Sequence, residues 1–244
     1  MPDIKPSILI VDDEADTCAN LADILTDCGY TVHTALSGDE ALGRVREAAY
    51  DVALLDLKMP GMDGLTLYRE IKKLRPATVA IVITAYASRA TQDAARNAGT
   101  WHMLPKPVEV RQLLPLVAAA ANQPLVLIID DDHELCHTLW DLLRDQNYRV
   151  ALAHSAADAD FQLGAAGNYR IVLLDLKLPD GNSHVLAQRI RRTHPDVGTI
   201  LITAHGRELS QLVDQALANG ADAVCYKPFN VDELLGIMSR LTSQ

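Results

Sequence analysis

The 244-residue chain is poor in aromatic residues, which make up 5% of it, so aliphatic side chains must fill any core. Positive charge is also scarce. The 22 Lys and Arg face 32 Asp and Glu, for a formal net charge of −10, and the chain contains no basic run. Because nucleic-acid binding needs clustered cations to neutralise phosphates, we expect no nucleic-acid partner.

Long apolar stretches and closely spaced cysteines are missing as well. No apolar run approaches the roughly 18 residues of a membrane span, and the start of the chain lacks the charged-then-apolar pattern of a secretion signal. The four cysteines, Cys18, Cys28, Cys136 and Cys225, show no CxxC spacing. We therefore expect a cytoplasmic protein with reduced thiols and no membrane partner.

An internal repeat divides the chain into two similar halves. The repeated segments pair as Ile8–Asp13 with Val126–Asp131, Leu54–Pro60 with Leu173–Pro179, Ile83–Ala85 with Ile202–Ala204, and Lys106–Pro107 with Lys227–Pro228. The shift between partners grows from 118 to 121 residues, and the last two extra residues fall in the predicted fourth helix of the second half. That helix should be about half a turn longer than its counterpart. We predict one domain over residues 1–122 and a second over 123–244.

Short apolar runs alternate with amphipathic stretches within each half. In the first half the runs cover residues 8–11, 31–35, 52–55, 79–83 and 101–104. Their near-continuous hydrophobicity indicates parallel strands buried on both faces. Between the first two runs, Cys18, Leu21, Ala22 and Leu25 form a helical apolar stripe, and the Ser37–Glu40 segment has the spacing of a capping box. The pattern predicts a doubly wound α/β domain with a five-stranded parallel sheet, (βα)5, occurring twice.

The repeated polar residues follow these strands. Asp12 and Asp13 come after the first strand, Asp56 after the third, Thr84 after the fourth and Lys106 after the fifth. The carboxyl ends of parallel strands meet at one rim, where crowded carboxylates need a cation, and an all-oxygen cluster favours Mg²⁺. An aspartate held by a metal beside a lysine and a hydroxyl suits phosphoryl transfer.

We therefore assign Asp56 as the nucleophile, Lys106 and Thr84 as partners of the phosphoryl oxygens, and Asp12 or Asp13 as metal ligands. In the second half the same roles fall to Asp175, Lys227, Thr203, Asp130 and Asp131. A third acid, Asp132, leaves the register of the second metal pair open by one residue, and the alignment with the first half selects Asp130 and Asp131.

These motifs are Asp-Asp after the first strand, Asp-x-x-Met-Pro-Gly-Met-Asp-Gly from Asp56, Thr-Ala at Thr84 and Lys-Pro at Lys106. With them the chain resembles the receiver domains of two-component response regulators over nearly its whole length. The resemblance implies two flavodoxin-like domains that take a phosphoryl group from a histidine kinase, a phosphotransfer protein or a small donor such as acetyl phosphate. It also implies a metal ligand from the main-chain carbonyl of Lys58 and of Lys177, and cis peptide bonds before Pro107 and Pro228.

The chain departs from the family pattern at the position three residues before the conserved lysine. Many receivers carry an aromatic residue there that moves on activation, whereas this chain has Met103 and Val224. The turn after the second acceptor, residues 178–183, is also altered but retains Gly181. The resemblance therefore does not extend to an aromatic switch in either half.

Two enzyme interpretations are rejected. The segment His133–His137 fits the HExxH pattern of zinc proteases, but the aligned segment Glu14–Cys18 has no histidine, and Cys136 matches the predicted core residue Cys18. Phosphatases of the haloacid dehalogenase type carry a second aspartate two residues after the nucleophile, where this chain has lysine in both halves.

The expected activity is that of a phosphorylation switch, not of a metabolic enzyme. By resemblance, the face formed by helix four, strand five and helix five binds a downstream effector protein or a second copy of the chain. Because no output domain follows residue 244, we expect output through protein–protein contacts. The alternatives are the N-terminal receiver pair of a larger regulator, such as a cyclase, a transcription factor or a hybrid kinase, and a binding-only module with silent sites.

Overall fold

The computed structural model describes residues 5–85, 88–164, 168–179, 183–204 and 207–242, with residues 207–212 described by their backbone alone. The chain divides into two compact units, Met1–Gln123 and Pro124–Gln244. Among the described residues each unit contains five strands and five helices in strict alternation. No helix of this described part is both long enough and apolar enough to cross a membrane.

The first unit is a single parallel sheet with helices between its strands. Its strands are β1 Ser7–Val11, β2 Thr31–Ala35, β3 Val52–Asp56, β4 Val79–Thr84 and β5 His102–Pro105. Its helices are α1 Ala15–Asp27, α2 Gly38–Glu47, α3 Gly64–Leu74, α4 Arg89–Ala98 and α5 Val110–Ala121. The strand order is β2-β1-β3-β4-β5, so the chain reverses its winding direction beside β1 and β3.

The second unit repeats this arrangement. Its strands are β6 Leu125–Ile129, β7 Arg149–Ala153, β8 Tyr169–Asp175, β9 Gly198–Ala204 and β10 Ala223–Lys227. Its helices are α6 His133–Asp145, α7 Ala156–Gly164, α8 Ser183–Thr193, α9 Arg207–Ala218 and α10 Val231–Thr242. The strand order β7-β6-β8-β9-β10 matches that of the first unit. The predicted (βα)5 fold is therefore confirmed twice, and α9, with 12 residues against 10 in α4, has the predicted extra half turn.

The central strands are apolar because helices cover both faces of each sheet. Every residue of β3, β4 and β6 is buried. The edge strands β2 and β5 differ from the prediction, since β2 exposes Thr31 and His33 and β5 exposes His102 and Pro105. An edge strand has a neighbour on one side only, so its outer side chains reach water even in a covered sheet.

Apolar clusters on the two faces of the sheet hold the helices in place. In the first unit Cys18, Leu21 and Leu25 of α1 pack with β1, β3 and α5, as the predicted apolar stripe requires. In the second unit Cys136 takes the equivalent place on α6. Both thiols are fully buried, which confirms their assignment to the core.

Local capping fixes where several helices begin. At α2 the Ser37 hydroxyl accepts a hydrogen bond from the Glu40 amide at 3.2 Å, and the Glu40 carboxylate accepts one from the Leu36 amide at 2.9 Å. This arrangement is close to the predicted capping box, with the return bond displaced by one residue. Asp63 caps α3 in the same way, through the Thr66 amide at 2.7 Å, and so fixes the helix that follows the Asp56 loop.

Candidate functional site

Three carboxylates of the first unit meet at the carboxyl end of the sheet. Asp12 and Asp13 directly follow β1, and Asp56 is the last residue of β3. One carboxylate oxygen of each lies within 4.8 Å of the others. Asp12 and Asp56 are only 2% and 6% exposed, whereas Asp13 is exposed. The parallel register of β1 and β3 therefore brings together the three acids that the sequence predicted.

Lys106 provides the positive charge of this cluster. Its Nζ atom lies 2.8 Å from Asp12 Oδ2 and 3.4 Å from Asp56 Oδ2. The Lys106 amide also donates to the Thr84 carbonyl at 2.8 Å, which ties the loop after β5 to the end of β4. The peptide bond from Lys106 to Pro107 is cis, as the resemblance implied. One lysine thus bridges the buried metal-ligand candidate and the acceptor candidate.

Burial sets the electrostatics of the acceptor. It raises the pKa of the Asp56 carboxyl above its ordinary value, and the nearby Lys106 charge only partly offsets this. Burial also disfavours the charged form of Lys106, but its hydrogen bonds and charge interactions with Asp12 and Asp56 outweigh this and raise the pKa of Lys106. The cluster therefore keeps its lysine charged while its carboxylates lack full compensation, which is the condition under which a divalent cation binds well.

The second unit contains the same cluster. Asp130, Asp131 and Asp175 have carboxylate oxygens within 4.8 Å of one another. Lys227 Nζ lies 2.7 Å from Asp130 Oδ2 and 3.1 Å from Asp175 Oδ1, and the peptide bond from Lys227 to Pro228 is also cis. Burial raises the pKa of Asp175, again against the opposing effect of Lys227. The two units therefore present nearly identical charge arrangements.

The third acid of the second unit has a different place. The Asp132 carboxylate accepts a hydrogen bond from the Leu135 amide at 3.0 Å and so caps the start of α6. The Asp132 amide in turn donates to Asp130 Oδ1 at 2.9 Å, as the Glu14 amide does to Asp12 Oδ1 at 3.0 Å. The geometry thus groups Asp130 and Asp131 with Asp175 and leaves Asp132 as a helix cap.

The residue two past each acceptor contacts it through its amide. The Lys177 amide donates to Asp175 Oδ2 at 2.9 Å, and a hydrogen bond from the Lys58 backbone likewise favours the ionised form of Asp56. These contacts hold the acceptor side chain at the rim. The assignment of the Lys58 and Lys177 carbonyls as metal ligands stays a prediction.

Hydroxyl groups lie next to both acceptors. Asp56 is paired with Ile83 across the sheet, so Thr84 is one residue beyond it on the neighbouring strand, and Thr203 follows Ile202 opposite Asp175 in the same way. Both threonines are buried. The Thr203 hydroxyl has no hydrogen-bond partner among the described residues. A buried hydroxyl without a partner is costly, and one at this strand end is free to donate to a ligand.

The structure shows a contact that the sequence did not reveal. Cys18 Sγ lies 3.4 Å from the Asp12 carbonyl oxygen, and Cys136 Sγ lies 3.4 Å from the Asp130 carbonyl oxygen. Burial raises the pKa of Cys18 to about 11 and that of Cys136 to about 12, so both remain thiols that donate. The sequence does place a cysteine six residues after each of these aspartates, but the apolar residues around that cysteine suggested only that it packs in the core.

The segments that depart from the family pattern also have defined places. Met103 is half-buried in β5 and packs against a small cluster with Val82 and Ala95, and Val224 in β10 is also half-buried. The predicted Gly181 in the altered turn lies outside the described residues. The HExxH segment begins α6, with Cys136 buried between exposed His133 and His137.

Comparisons with known proteins agree with these features. The family model of the response regulator receiver domain matches residues 8–118 and 126–239. A response regulator receiver protein of Anaeromyxobacter sp. strain Fw109-5 is 35% identical over 233 residues, which are 96% of this chain and 94% of that protein. The transcriptional regulatory protein ZraR of Salmonella typhimurium strain LT2 is 40% identical over 109 residues, which are 45% of this chain but 25% of ZraR.

One solved structure matches about half of the chain. The crystal structure of a CheY-like response regulator receiver domain protein from Methanospirillum hungatei JF-1 matches 48% of this chain and 94% of its own, at 34% identity and a TM-score of 0.47. Each segment matched by the family model contains the complete acid and lysine cluster of its unit. The chain therefore belongs to the receiver-domain family of two-component response regulators and carries two such domains in tandem.

Proposed function

We propose that both units are working phosphorylation switches, with Asp56 and Asp175 as the phosphoryl acceptors and domain limits at residues 1–122 and 123–244. One observation carries this proposal: in each unit a lysine bridges two buried carboxylates on neighbouring strands, beside a third, exposed carboxylate. A buried group of like charges costs stability, and both units retain it. The presence of this costly cluster in both units supports a function for it in both.

The carboxylate clusters fit a magnesium ion. Mg²⁺ binds oxygen ligands at about 2.0–2.1 Å, so oxygens that share one ion lie roughly 3–4 Å apart. The three carboxylate oxygens of each cluster lie within 4.8 Å of one another, and the exposed member keeps one side open to water. Asp12, Asp13 and Asp56 would hold the ion in the first unit, with the Lys58 carbonyl; Asp130, Asp131, Asp175 and the Lys177 carbonyl would do so in the second. When bound, Mg²⁺ neutralises charge on the transferring group.

The chain's own residues supply the remaining chemistry. A carboxylate oxygen of Asp56 attacks phosphorus, and an Asp–O–P bond forms as the bond to the leaving group, a histidine nitrogen or an acetate oxygen, breaks. Lys106 balances the negative charge on the phosphoryl oxygens, and the Thr84 hydroxyl donates to one of them. Asp175, Lys227 and Thr203 act in the same way. Hydrolysis of the acyl phosphate returns the carboxylate and releases inorganic phosphate.

The product is a signal carried by a change of charge. A phosphoryl group adds roughly −1.5 to −2 charge at the rim, close to the threonine at the end of the fourth strand. We propose that a histidine kinase or phosphotransfer protein supplies the group and that an effector protein, or a second copy of the chain, binds the altered surface. The chain then acts as a cytoplasmic switch and not as a metabolic enzyme.

Chemical lability of the modification tests this proposal. The full chain is incubated with acetyl phosphate, with Mg²⁺ or with EDTA, and the incorporated phosphate is measured before and after treatment with neutral hydroxylamine. An acyl phosphate forms only with Mg²⁺ and is removed by hydroxylamine. Incorporation that is independent of Mg²⁺ or resists hydroxylamine would show modification of another group, and no incorporation would leave binding-only domains.

A further inference from the structure

His133 and His154 lie in contact beside the acidic cluster of the second unit, with His137 one helical turn further along α6, and the proposed phosphorylation uses none of the three. His133 and His137 lie on α6, and His154 directly follows β7. The equivalent positions of the first unit hold Ala15, Ala19 and Leu36, so its carboxylate cluster is built without them. The histidines are thus an addition to one copy of the repeat.

His154 is oriented by the backbone. Its Nδ1 atom lies 3.0 Å from the Asp130 carbonyl oxygen, with Cys136 Sγ at 3.9 Å. A carbonyl oxygen only accepts, so Nδ1 carries a proton, and in the neutral imidazole Nε2 is then the nitrogen with the lone pair. An imidazole that donates one ring N–H to a backbone carbonyl and presents the other nitrogen is the usual arrangement of a metal-binding histidine.

One further imidazole contacts the His154 ring, and another lies one helical turn along α6. The rings of His133 and His154 are in contact, with centroids 3.8 Å apart and planes inclined by 31°. His137 follows His133 by four residues, which places both on the same exposed side of α6. Because His133 and His137 are exposed, each ring can rotate about its side-chain bonds toward a shared ion. Cys136 lies between them in sequence, but it is buried in the core and points to the sheet.

The charge around the group favours a cation. The Asp158 carboxylate accepts a hydrogen bond from the His154 amide at 3.2 Å, and Asp131 and Glu134 are exposed near the start of α6. Imidazole nitrogen is a good ligand for Zn²⁺ and other first-row transition metals, whereas Mg²⁺ prefers oxygen. A site built on histidine would therefore select a different metal from the neighbouring carboxylates.

We propose that the second unit binds a divalent transition-metal ion, represented here by Zn²⁺, through Nε2 of His154 and the side chains of His133 and His137. The site is distinct from the cluster of Asp130, Asp131 and Asp175. It gives the HExxH segment of α6 a metal-binding role without a protease.

Calorimetric titration of Zn²⁺ into the full chain tests the site. The protein carries Cys28→Ser, so that the exposed thiol cannot bind zinc, and excess Mg²⁺ occupies the carboxylate clusters. We expect one zinc ion per chain, and binding at least about tenfold weaker in His154→Gln and in the double variant His133→Ala/His137→Ala. His194→Ala, a histidine of the same unit at the end of α8, should bind zinc like the parent protein.

Two results would overturn the proposal. One is the absence of zinc binding by the parent protein, and the other is binding that both histidine variants retain unchanged. Because His133 and His137 are exposed, their double variant should fold, and circular dichroism together with the response to Mg²⁺ establishes that it has done so. Loss of zinc binding with an unaltered Mg²⁺ response assigns the effect to the histidines.

Discussion

Individual charged side chains at the rim work against the stability of the fold. Because burial raises the pKa of Asp56, the protonated form is more favoured in the folded state than in the unfolded chain, and ionisation at neutral pH destabilises the native state. The ion pair with Lys106 at 3.4 Å offsets only part of this. The residue most directly required for the proposed function is thus one that the fold alone disfavours, as is typical of functional sites.

Replacing this carboxylate should therefore stabilise the metal-free protein. In EDTA at pH 7, Asp56→Asn is expected to raise the unfolding midpoint by a few degrees, where about 1 kcal/mol corresponds to roughly 4 °C. The gain should vanish below the unfolded-state pKa near 3.8, where the wild-type carboxyl is protonated in both states, and should grow as the pH rises through the raised folded-state value. Thermal unfolding as a function of pH measures this.

In the presence of Mg²⁺ the wild type should instead be more stable than Asp56→Asn. The wild type gains stability by binding the ion in its native state, whereas the variant binds it more weakly. Asp175→Asn provides an independent repeat of the experiment in the second unit, because burial raises the pKa of that acceptor as well. A variant that is less stable than the wild type in EDTA at pH 7 would contradict this account of the rim.

Substitutions of two adjacent acids in the second unit should separate metal binding from helix capping. Asp132→Ala removes the cap of α6 and should cost about 1 kcal/mol of stability, with little change in Mg²⁺ affinity. Asp131→Ala removes an exposed metal-ligand candidate and should weaken Mg²⁺ binding by roughly tenfold or more, with little loss of stability. Urea unfolding and Mg²⁺ titration measure the two effects. If Asp132→Ala instead weakened Mg²⁺ binding and Asp131→Ala did not, the second metal ligand would be Asp132 and not Asp131.

At the scale of secondary-structure elements, a glycine sets how closely α3 approaches the acceptor strand. A Cβ atom on Gly64 would overlap the Asp56 carbonyl oxygen, whereas one on Gly43, within α2, would meet nothing within 4 Å. The loop after Asp56 therefore turns into α3 in a space that admits no side chain at this position. The second unit has Ser183 at the equivalent position, where it begins α8.

The two glycines form a matched pair for mutation. Gly64→Ala should destabilise the first unit by about 1–3 kcal/mol and weaken Mg²⁺ binding, because the strand end that carries Asp56 has to move. Gly43→Ala should instead stabilise it by about 0.4–1 kcal/mol, since alanine reduces the freedom of the unfolded chain and favours the helix. Denaturant unfolding of both variants checks this. Equal effects would show that the close contact is not a constraint.

The sequence predicted elements well where one physical pattern dominates. The central strands were recognisable from continuous hydrophobicity, and α2 from the spacing of Ser37 and Glu40. The edge strands were predicted in the right places, but their half-exposed faces follow from the strand order, which no single strand encodes. The thiol contacts of Cys18 and Cys136 were missed because the sequence pattern of a cysteine on an apolar helix face is identical whether or not its thiol donates a hydrogen bond.

For the whole molecule, repetition was the most informative feature. Any one motif, such as Asp-Asp or Lys-Pro, is common in turns and helix caps, but the same order in two halves predicted two complete sites. The structure brings the predicted acids and lysine together in each unit. What the repeat could not predict is the difference between copies, including the histidine contacts around His154 in the second unit.

Each unit has its own core and should fold by itself. Fragments 1–123 and 124–244 keep all five strands of their sheets, with separate apolar clusters on the sheet faces. We expect each fragment to unfold cooperatively and to gain thermal stability from Mg²⁺. Circular dichroism during heating, with and without Mg²⁺, measures both properties. A fragment without a cooperative transition would show that the unit depends on its neighbour.

Intact-mass analysis after incubation with acetyl phosphate and Mg²⁺ tests the central claim most directly. The full chain should gain two phosphoryl groups, while Asp56→Asn and Asp175→Asn should each gain one and the double variant none. These counts would establish two independent acceptors at the predicted aspartates. Undiminished incorporation in the double variant would contradict the account, and a single group on the wild type would restrict the phosphorylation switch to one unit.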